Sequence, residues 1–530
     1  MCSDKGKVLV VCKEHYTYPM NFIKDELVLR GYDVEAFFIH YTETVLKDHS
    51  YRSFCQRNPE TRLYTFDNAI KLFWKNYKNA EQLIDKEYLN YVESQFCKDL
   101  PFGLLLMSSQ LFTTPYHNRF YFRDLTENEK LFWVQLVFKE VETTLELSKP
   151  DRIVDIDNSE LGRSVLCQVA KVKQIPYATL ESSRYESIWL PTFTLGRTTD
   201  CYFINRYCEI LDSQNILDNY LGKVYDYRHQ EKIMLTDYKY NSTSKKTSAP
   251  LMKDITKLLM MIRGLVLYWW KNPSLVGIFR RRPMIASLFH SIKFFVYWFL
   301  RERYLLSRNS RCFEDIDHSE TYVYFPLHLI PESTTLIKSP FYPNEIAVIE
   351  AVSKSLPIGW KLYVKEHGSM VGERPLGFYK AIKRLTNVRL VRMDAYDDPK
   401  PWIQNSVGVI TLSGSSAFEA AMLGKRSLIF GSTFFELIDG IDKINSFLEL
   451  PEKINKMKNE LADNTKSCAA YLQAIHELGK YIPLTELMSK SHLAMLNNIQ
   501  LDNDLKKNIC DLVEILLRDA DKKDNKKCVA

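Results

Sequence analysis

Three short polar runs in the second half of this chain carry the side chains best suited to holding an anion. They are Ser413-Gly414-Ser415-Ser416, Lys365-Glu366-His367-Gly368-Ser369, and His328 followed by Pro331-Glu332-Ser333-Thr334. The first is a small, hydroxyl-rich turn between an apolar run (Val407–Thr411) and a helix expected over Ala417–Leu423. A turn stripped of bulk at a helix start leaves backbone N–H groups open, with the helix dipole behind them, and that arrangement binds phosphate. Lys and His donors beside it offset the charge that builds on a phosphate leaving group as its bond to a sugar breaks. The same residues also have a plain structural use. Ser416 followed three residues later by Glu419 spells a capping box, and Gly424-Lys425 spells an ordinary helix stop. On the local sequence both readings stay open.

What favours the chemical reading is that each polar run leaves an apolar strand. Thr321–Pro326 (TYVYFP), Lys361–Lys365 (KLYVK) and Val407–Thr411 read as buried strands, with a helix near Asn344–Ser355, a short strand at Val388–Val391 and another from Ser427. In a parallel sheet their carboxyl ends share one edge, where ligands of such sheets bind. The first half repeats the pattern. Lys7–Cys12 (KVLVVC) is a strand, Tyr18–Arg30 a helix, Gly31-Tyr32-Asp33 a turn and Val34–Ile39 a strand. Residues 40–148 read as mostly helical and aromatic. A further unit follows, with a strand at Arg152–Ile156, a helix over Ser164–Lys173 and a strand at Pro176–Leu180. The expected organisation is an N-terminal α/β domain over 1–225, a linker and helical insert over 226–315, a second α/β domain over 316–450, and C-terminal helices over 451–530.

With 530 residues, 46% hydrophobic and 26% charged, the chain has the composition of a multi-domain globular protein. A net charge of +6 is small for this length and argues against nucleic acid as a partner. The opening MCSDKGKVLVV lacks a signal-peptide core, so a cytoplasmic protein is expected. The eleven cysteines are scattered without CxxC spacing and read as free thiols. In the insert, Ile255–Trp270 and Ile285–Tyr304 are aromatic but carry Lys257, Arg263, Lys293, Arg301 and Arg303, with Arg280-Arg281-Arg282 between them. Those charges argue against a membrane-spanning helix. They fit either helices packed on the core or a pair lying on an anionic membrane surface.

KLYVKEH (Lys361–His367) followed by GVITLSGSSAFEAAMLGK (Gly408–Lys425) resembles the capsule polysaccharide biosynthesis proteins, the group that contains the bacterial Kdo transferases of capsule assembly. FPLHLIPESTT (Phe325–Thr335), FELIDGI (Phe435–Ile441) and DIDNSELGR (Asp155–Arg163) are also similar to that family. The resemblance spans roughly residues 150–445. One departure is Gly368, where the family's Lys-x-His loop continues with proline.

The resemblance implies a GT-B arrangement, two Rossmann-like domains facing a cleft, with a nucleotide sugar on the C-terminal domain and no resident metal or other cofactor. The implied activity is transfer of a sugar, with a CMP-linked acidic sugar as the family's donor, to a glycan or glycolipid near the membrane. A nucleotide-sugar epimerase, a polyol-phosphate transferase and a non-catalytic part of a capsule assembly complex are the alternatives. Lys365, His367, Ser413, Ser415 and Ser416 would then contact the donor phosphate, with Glu419 either reaching a ribose or capping its helix. Asp157 is the first nominee for proton acceptor, and His15 or Glu14 the second. Arg163 and Arg184 are expected as acceptor-side anion contacts. Asp155-Ile156-Asp157 has the spelling of a metal-binding DxD, but its place at the end of an N-terminal strand suits an acceptor-side base or a structural role better.

Overall fold

The computed structural model of the chain describes residues 5–40, 49–107, 125–159, 161–213, 216–233, 255–256, 259–260, 262–263, 284–307, 310, 312–459, 461 and 463–518. Much of the expected insert, including the linker Asn241–Ser248 and the Arg280–Arg282 run, lies outside them, as does the lysine-rich end from Asp519.

Two open sheets organise the chain. The first is built from β1 at Lys7–Cys12, β2 at Asp33–Phe38, β3 at Leu63–Thr65, β4 at Arg152–Val154, β5 at Tyr177–Ser182, β6 at Ile188–Thr192 and, from near the C-terminus, β13 at Lys480–Tyr481. Their order across the sheet is β13-β6-β5-β4-β1-β2-β3. Strands β1 to β5 pair in parallel, whereas β6 runs antiparallel to both β5 and β13. The second sheet comprises β7 at Tyr322–Pro326, β8 at Lys361–Lys365, β9 at Val388–Val391, β10 at Gly408–Thr411, β11 at Ser427–Ile429 and β12 at Ile441–Lys443. It is parallel throughout, in the order β12-β11-β10-β7-β8-β9. Chain order reverses direction about β1 in the first sheet and about β7 in the second. These are two Rossmann-like lobes.

Burial explains why the strands read as unbroken apolar runs. Alternate residues of β1 enter different cores, Leu9 and Val11 on one face and Val8, Val10 and Cys12 on the other. In β7, Tyr322 and Tyr324 face one core while Val323 and Phe325 face the other. Both faces of each sheet are covered, as parallel sheets require.

The C-terminal helices tie the lobes together. The Thr465–Leu478 helix contributes Cys468, Tyr471, Leu472 and Ile475 to a core of the second lobe. The chain then crosses back, adds β13 to the first sheet, and packs the Leu484–Asn497 and Asn503–Leu516 helices on the first lobe's Thr17–Leu29 helix. The helix Cys201–Asp212, assigned by sequence to the first domain, and the helix Asp218–His229, which crosses that domain's expected end at 225, bury Phe203, Tyr207, Val224 and Tyr227 with Trp402 and Phe418 of the second lobe.

Within the expected insert, the Met284–Leu306 helix buries Leu305 in the second lobe while Tyr297, Leu300 and Tyr304 face outward. Among the described residues, no helix is long and apolar enough to cross a membrane. The described cysteines are all free; Cys2 and Cys528 lie outside the described residues.

Candidate functional site

Register aligns the three polar runs. Pro326 of β7 pairs with Lys365 of β8, and Val409 of β10 pairs with Tyr324 of β7, so the three strands end on one edge. The loops beyond them line a hollow of about 420 Å³ that includes His328, Glu332, Thr334, Lys365, His367, Ser415, Ser416 and Glu419. A loop after β9 also lines it, with Met393, Tyr396, Asp397 and Asp398.

At the Ser-Gly-Ser-Ser turn the capping-box reading fails. Gly414, not Ser416, is the N-cap of the Ser415–Met422 helix, and no side chain caps it. Glycine is needed there for close approach. A Cβ on Gly414 would come within 2.7 Å of Thr411 Oγ1 and 3.2 Å of His328 Nε2. Ser416 lines the hollow at the helix start, and its buried hydroxyl has no hydrogen-bond partner among the described residues. A buried hydroxyl left unpaired costs about 1–3 kcal/mol, a penalty that a bound acceptor oxygen would remove. Ser413 is different. Its hydroxyl donates to the Thr334 carbonyl at 2.5 Å, it is fully buried, and it does not line the hollow. Ser413 therefore joins two loops and is corrected from a phosphate contact to a structural residue.

A buried ionic frame supports the turn, and the sequence reading missed most of it. The Glu345 carboxylate accepts from the His328 backbone N–H at 2.7 Å and lies 3.1 Å from its Nδ1, while His328 Nε2 meets Thr411 Oγ1 at 2.8 Å. Thr411 Oγ1 in turn accepts from the Gly414 N–H at 3.2 Å. Arg374, fully buried, donates to Glu345 at 2.9 Å and to the His328 carbonyl, and lies 3.4 Å from Glu366. Glu366 accepts from the His367 backbone N–H at 2.6 Å and from the Tyr379 hydroxyl at 2.7 Å. Glu366 thus positions the loop, and His367 presents its ring to the hollow.

Burial shifts three titratable groups that line the hollow. Burial, helped by His328, Lys365 and Arg374 nearby, pushes His367 down to about 4. Its Nδ1 accepts from the Ser369 N–H at 3.2 Å, which leaves the proton on Nε2 as a donor. Burial also lowers Lys365, against the pull of Glu419. Glu419 is pushed up to about 7, chiefly by burial and with Asp398 adding to it, while Ser415, Arg184 and Lys365 oppose the shift.

A second hollow of about 340 Å³ belongs largely to the first lobe and is lined by Tyr16, Asp157, Asn158, Glu181, Tyr185, Trp189, Lys338 and Met488. Arg184, Glu332 and Thr334 line both hollows, so the two meet at these residues. Lys338 of the second lobe bonds Glu181 of β5 across the cleft.

Here the acceptor-side expectations divide. Asp157 borders the hollow, but its carboxylate already accepts from Arg163 Nη1 at 2.8 Å, the Ser159 hydroxyl at 2.7 Å and the Asn158 N–H at 2.9 Å. Arg163 is fully buried between Asp157 and Asp155, with Nε donating to Asp155 at 2.6 Å, and is corrected from an acceptor contact to a structural cation. Glu14 and His15 are exposed and do not line either hollow; Tyr16, the next residue, does. Its phenol is pushed up mainly by the Asp157 charge, then by burial. Arg184 is not confined to the acceptor side. Glu332 and Thr334, which the sequence singles out only as members of a polar run, sit at the seam, and the Thr334 hydroxyl donates to Glu332 at 2.8 Å. Among the described residues, no three of His, Cys, Asp and Glu group to hold a metal ion.

No family model matches the chain, and no curated protein matches it. Solved structures do. A β-Kdo 2,7 transferase, KpsC of Thermosulfurimonas dismutans, is 12% identical with a TM-score of 0.31, covering 64% of this chain and 88% of that one. The S. aureus MnaA–UDP co-structure is 9% identical with a TM-score of 0.27, covering 93% and 98%. A UDP-GlcNAc 2-epimerase from Neisseria meningitidis bound to UDP-GlcNAc is 11% identical with a TM-score of 0.23, covering 91% and 100%. At scores this low the likeness carries no weight for substrate or reaction. The GT-B-like description, two Rossmann-like lobes facing a cleft, stands on the strand orders and on the hollow that both lobes line.

Proposed function

We propose that this chain is a glycosyltransferase that takes a sugar from a nucleotide-sugar donor, with its phosphate on the Ser415–Ser416 turn, and passes it to a glycan or glycolipid acceptor in cell-surface polysaccharide synthesis. The observation that carries this reading is the Ser416 hydroxyl, buried at a helix start and without a partner among the described residues, in a residue that lines the hollow of Lys365 and His367. Open N–H groups, a donor hydroxyl, an ammonium and an Nε2–H imidazole form a set that holds phosphate through transfer. Glu419, freed of a capping role, accepts from the ribose hydroxyls. No resident metal is assigned in this reading; the leaving phosphate is neutralised by side chains and backbone. A CMP-linked acidic sugar is the donor that the family resemblance suggests.

In the transfer, the acceptor hydroxyl oxygen bonds to the anomeric carbon as the bond from that carbon to the phosphate oxygen breaks. The electron pair leaves on the phosphate, and the hydroxyl proton passes to a carboxylate. We place that proton on Glu332 in preference to Asp157. Glu332 borders both hollows, whereas three donors already occupy the Asp157 carboxylate.

Incubation with CMP-, UDP- and GDP-sugars, followed by nucleotide release with and without membrane glycolipid, tests the reading. Release that depends on the acceptor is expected. Epimerised donor formed without acceptor would move the site to an epimerase, and the absence of both would contradict an enzymatic role.

A further inference from the structure

The loop joining β5 to β6, Ser183–Ser187, belongs to the first lobe by sequence, yet its tip rests on the phosphate helix of the second. The Tyr185 ring meets Phe418 edge-on, with centroids 6.5 Å apart, one residue before Glu419. From the Thr465–Leu478 helix, the Tyr471 hydroxyl donates to the Ser183 carbonyl at 2.7 Å. Lys223 and His476 approach Glu186 at 3.3 and 3.5 Å.

Within these five residues, Arg184, Glu186 and Ser187 all have positive φ, at 67°, 44° and 52°. Each such L-residue costs about 1–3 kcal/mol, and strain of this kind persists where the surroundings over-determine it, clustering at active sites, ligand clamps and switch regions. This loop brings Arg184 to the cleft. That residue lines both hollows and lies close enough to Glu419 and to Lys338 to act on the charge of each.

We propose that Arg184 is a cation of the donor phosphate site delivered by the opposite lobe, contacting the non-bridging oxygens of the leaving phosphate beside Lys365 and His367. The proposal rests on the nucleotide-sugar reading. A guanidinium suits the role because its planar fork pairs two oxygens at once. Because the loop is anchored on both lobes, the phosphate site is complete only while the lobes are docked through Tyr185 and Ser183.

Calorimetric titration with CMP, UDP and GDP, and with cytidine, uridine and guanosine, tests this on the full chain and on Arg184→Met and Arg184→Lys. The expected result is a loss of about tenfold or more in nucleotide affinity for Arg184→Met, with nucleoside affinity unchanged and Arg184→Lys intermediate. Equal nucleotide affinity in Arg184→Met and the parent overturns the proposal. Equal loss of nucleotide and nucleoside overturns it too, because the loop's shape and not the charge would be at work. If the parent chain binds none of the six, the nucleotide reading itself falls and takes this proposal with it.

Discussion

Replacing Glu419 by Gln keeps the shape of the side chain and removes its charge, which separates its two expected effects. Burial holds Glu419 at about 7, against about 4.5 when exposed. Only the ionised form accepts from both ribose hydroxyls. With half-ionisation near pH 7, the binding-competent fraction rises about tenfold from pH 6 to pH 8. A hydrogen bond to a charged group is worth about 1.5–3 kcal/mol, so Glu419→Gln weakens binding by roughly ten- to a hundredfold at pH 8. Stability moves the other way. The folded chain holds a proton on Glu419 that the unfolded chain has released between about 4.5 and 7. The contribution of that proton to stability is full below about 4.5 and is lost as pH rises through 7, a change of up to about 3 kcal/mol. Glu419→Gln is therefore expected to be the more stable protein at pH 8 and the poorer binder. Calorimetry with nucleosides, which lack a titrating phosphate, reads the affinity at pH 6, 7 and 8, and urea unfolding reads the stability. A nucleoside affinity that is flat across that range, or unchanged by Glu419→Gln, would refute the ribose role.

Arg374→Met strips the fully buried Glu345 and Glu366 carboxylates of their shared cation. A loss of about 3–5 kcal/mol is expected in urea unfolding, and unchanged stability would contradict the ionic frame around the turn. Glu332→Gln is expected to lower turnover by about a hundredfold or more while leaving nucleotide affinity intact, and Asp157→Asn by much less; the reverse order in a nucleotide-release assay would return the proton to Asp157. The outward Tyr297, Leu300 and Tyr304 continue the basic, aromatic segment 255–304. Co-sedimentation with anionic vesicles at low salt, reversed at high salt, is expected if that segment lies on a membrane, and no sedimentation at low salt removes the idea.

Much of the fold was legible because parallel strands buried on both faces leave unbroken apolar runs such as KVLVVC and TYVYFP, and because each polar run followed one. Their shared edge followed from the topology alone. What was not legible was the state of each polar group. Ser413 and Ser416 are alike in sequence, yet one donates to the Thr334 carbonyl and the other has no partner among the described residues. Arg163 and Arg184 look equally suited to an anion, yet two aspartates enclose the first. The missed frame joins Glu345, Arg374 and His328 across 46 positions of chain, and a single sequence does not signal such contacts. Tyr16 was one residue from the nominated His15, because the short Glu14–Tyr16 helical turn decides which of them faces the hollow. A shift of one residue there exchanged an exposed imidazole for a cleft-lining phenol.

The most direct measurement is a structure of this chain with CMP, UDP or GDP bound. The expected result is a phosphate oxygen within about 3 Å of the Ser416 hydroxyl and of the Ser415 and Ser416 N–H groups, with Lys365 and His367 Nε2 on the same phosphate. A nucleotide seated elsewhere, or one seated in the cleft with the Ser416 hydroxyl still unpaired, would contradict the assignment of this turn as the donor phosphate site.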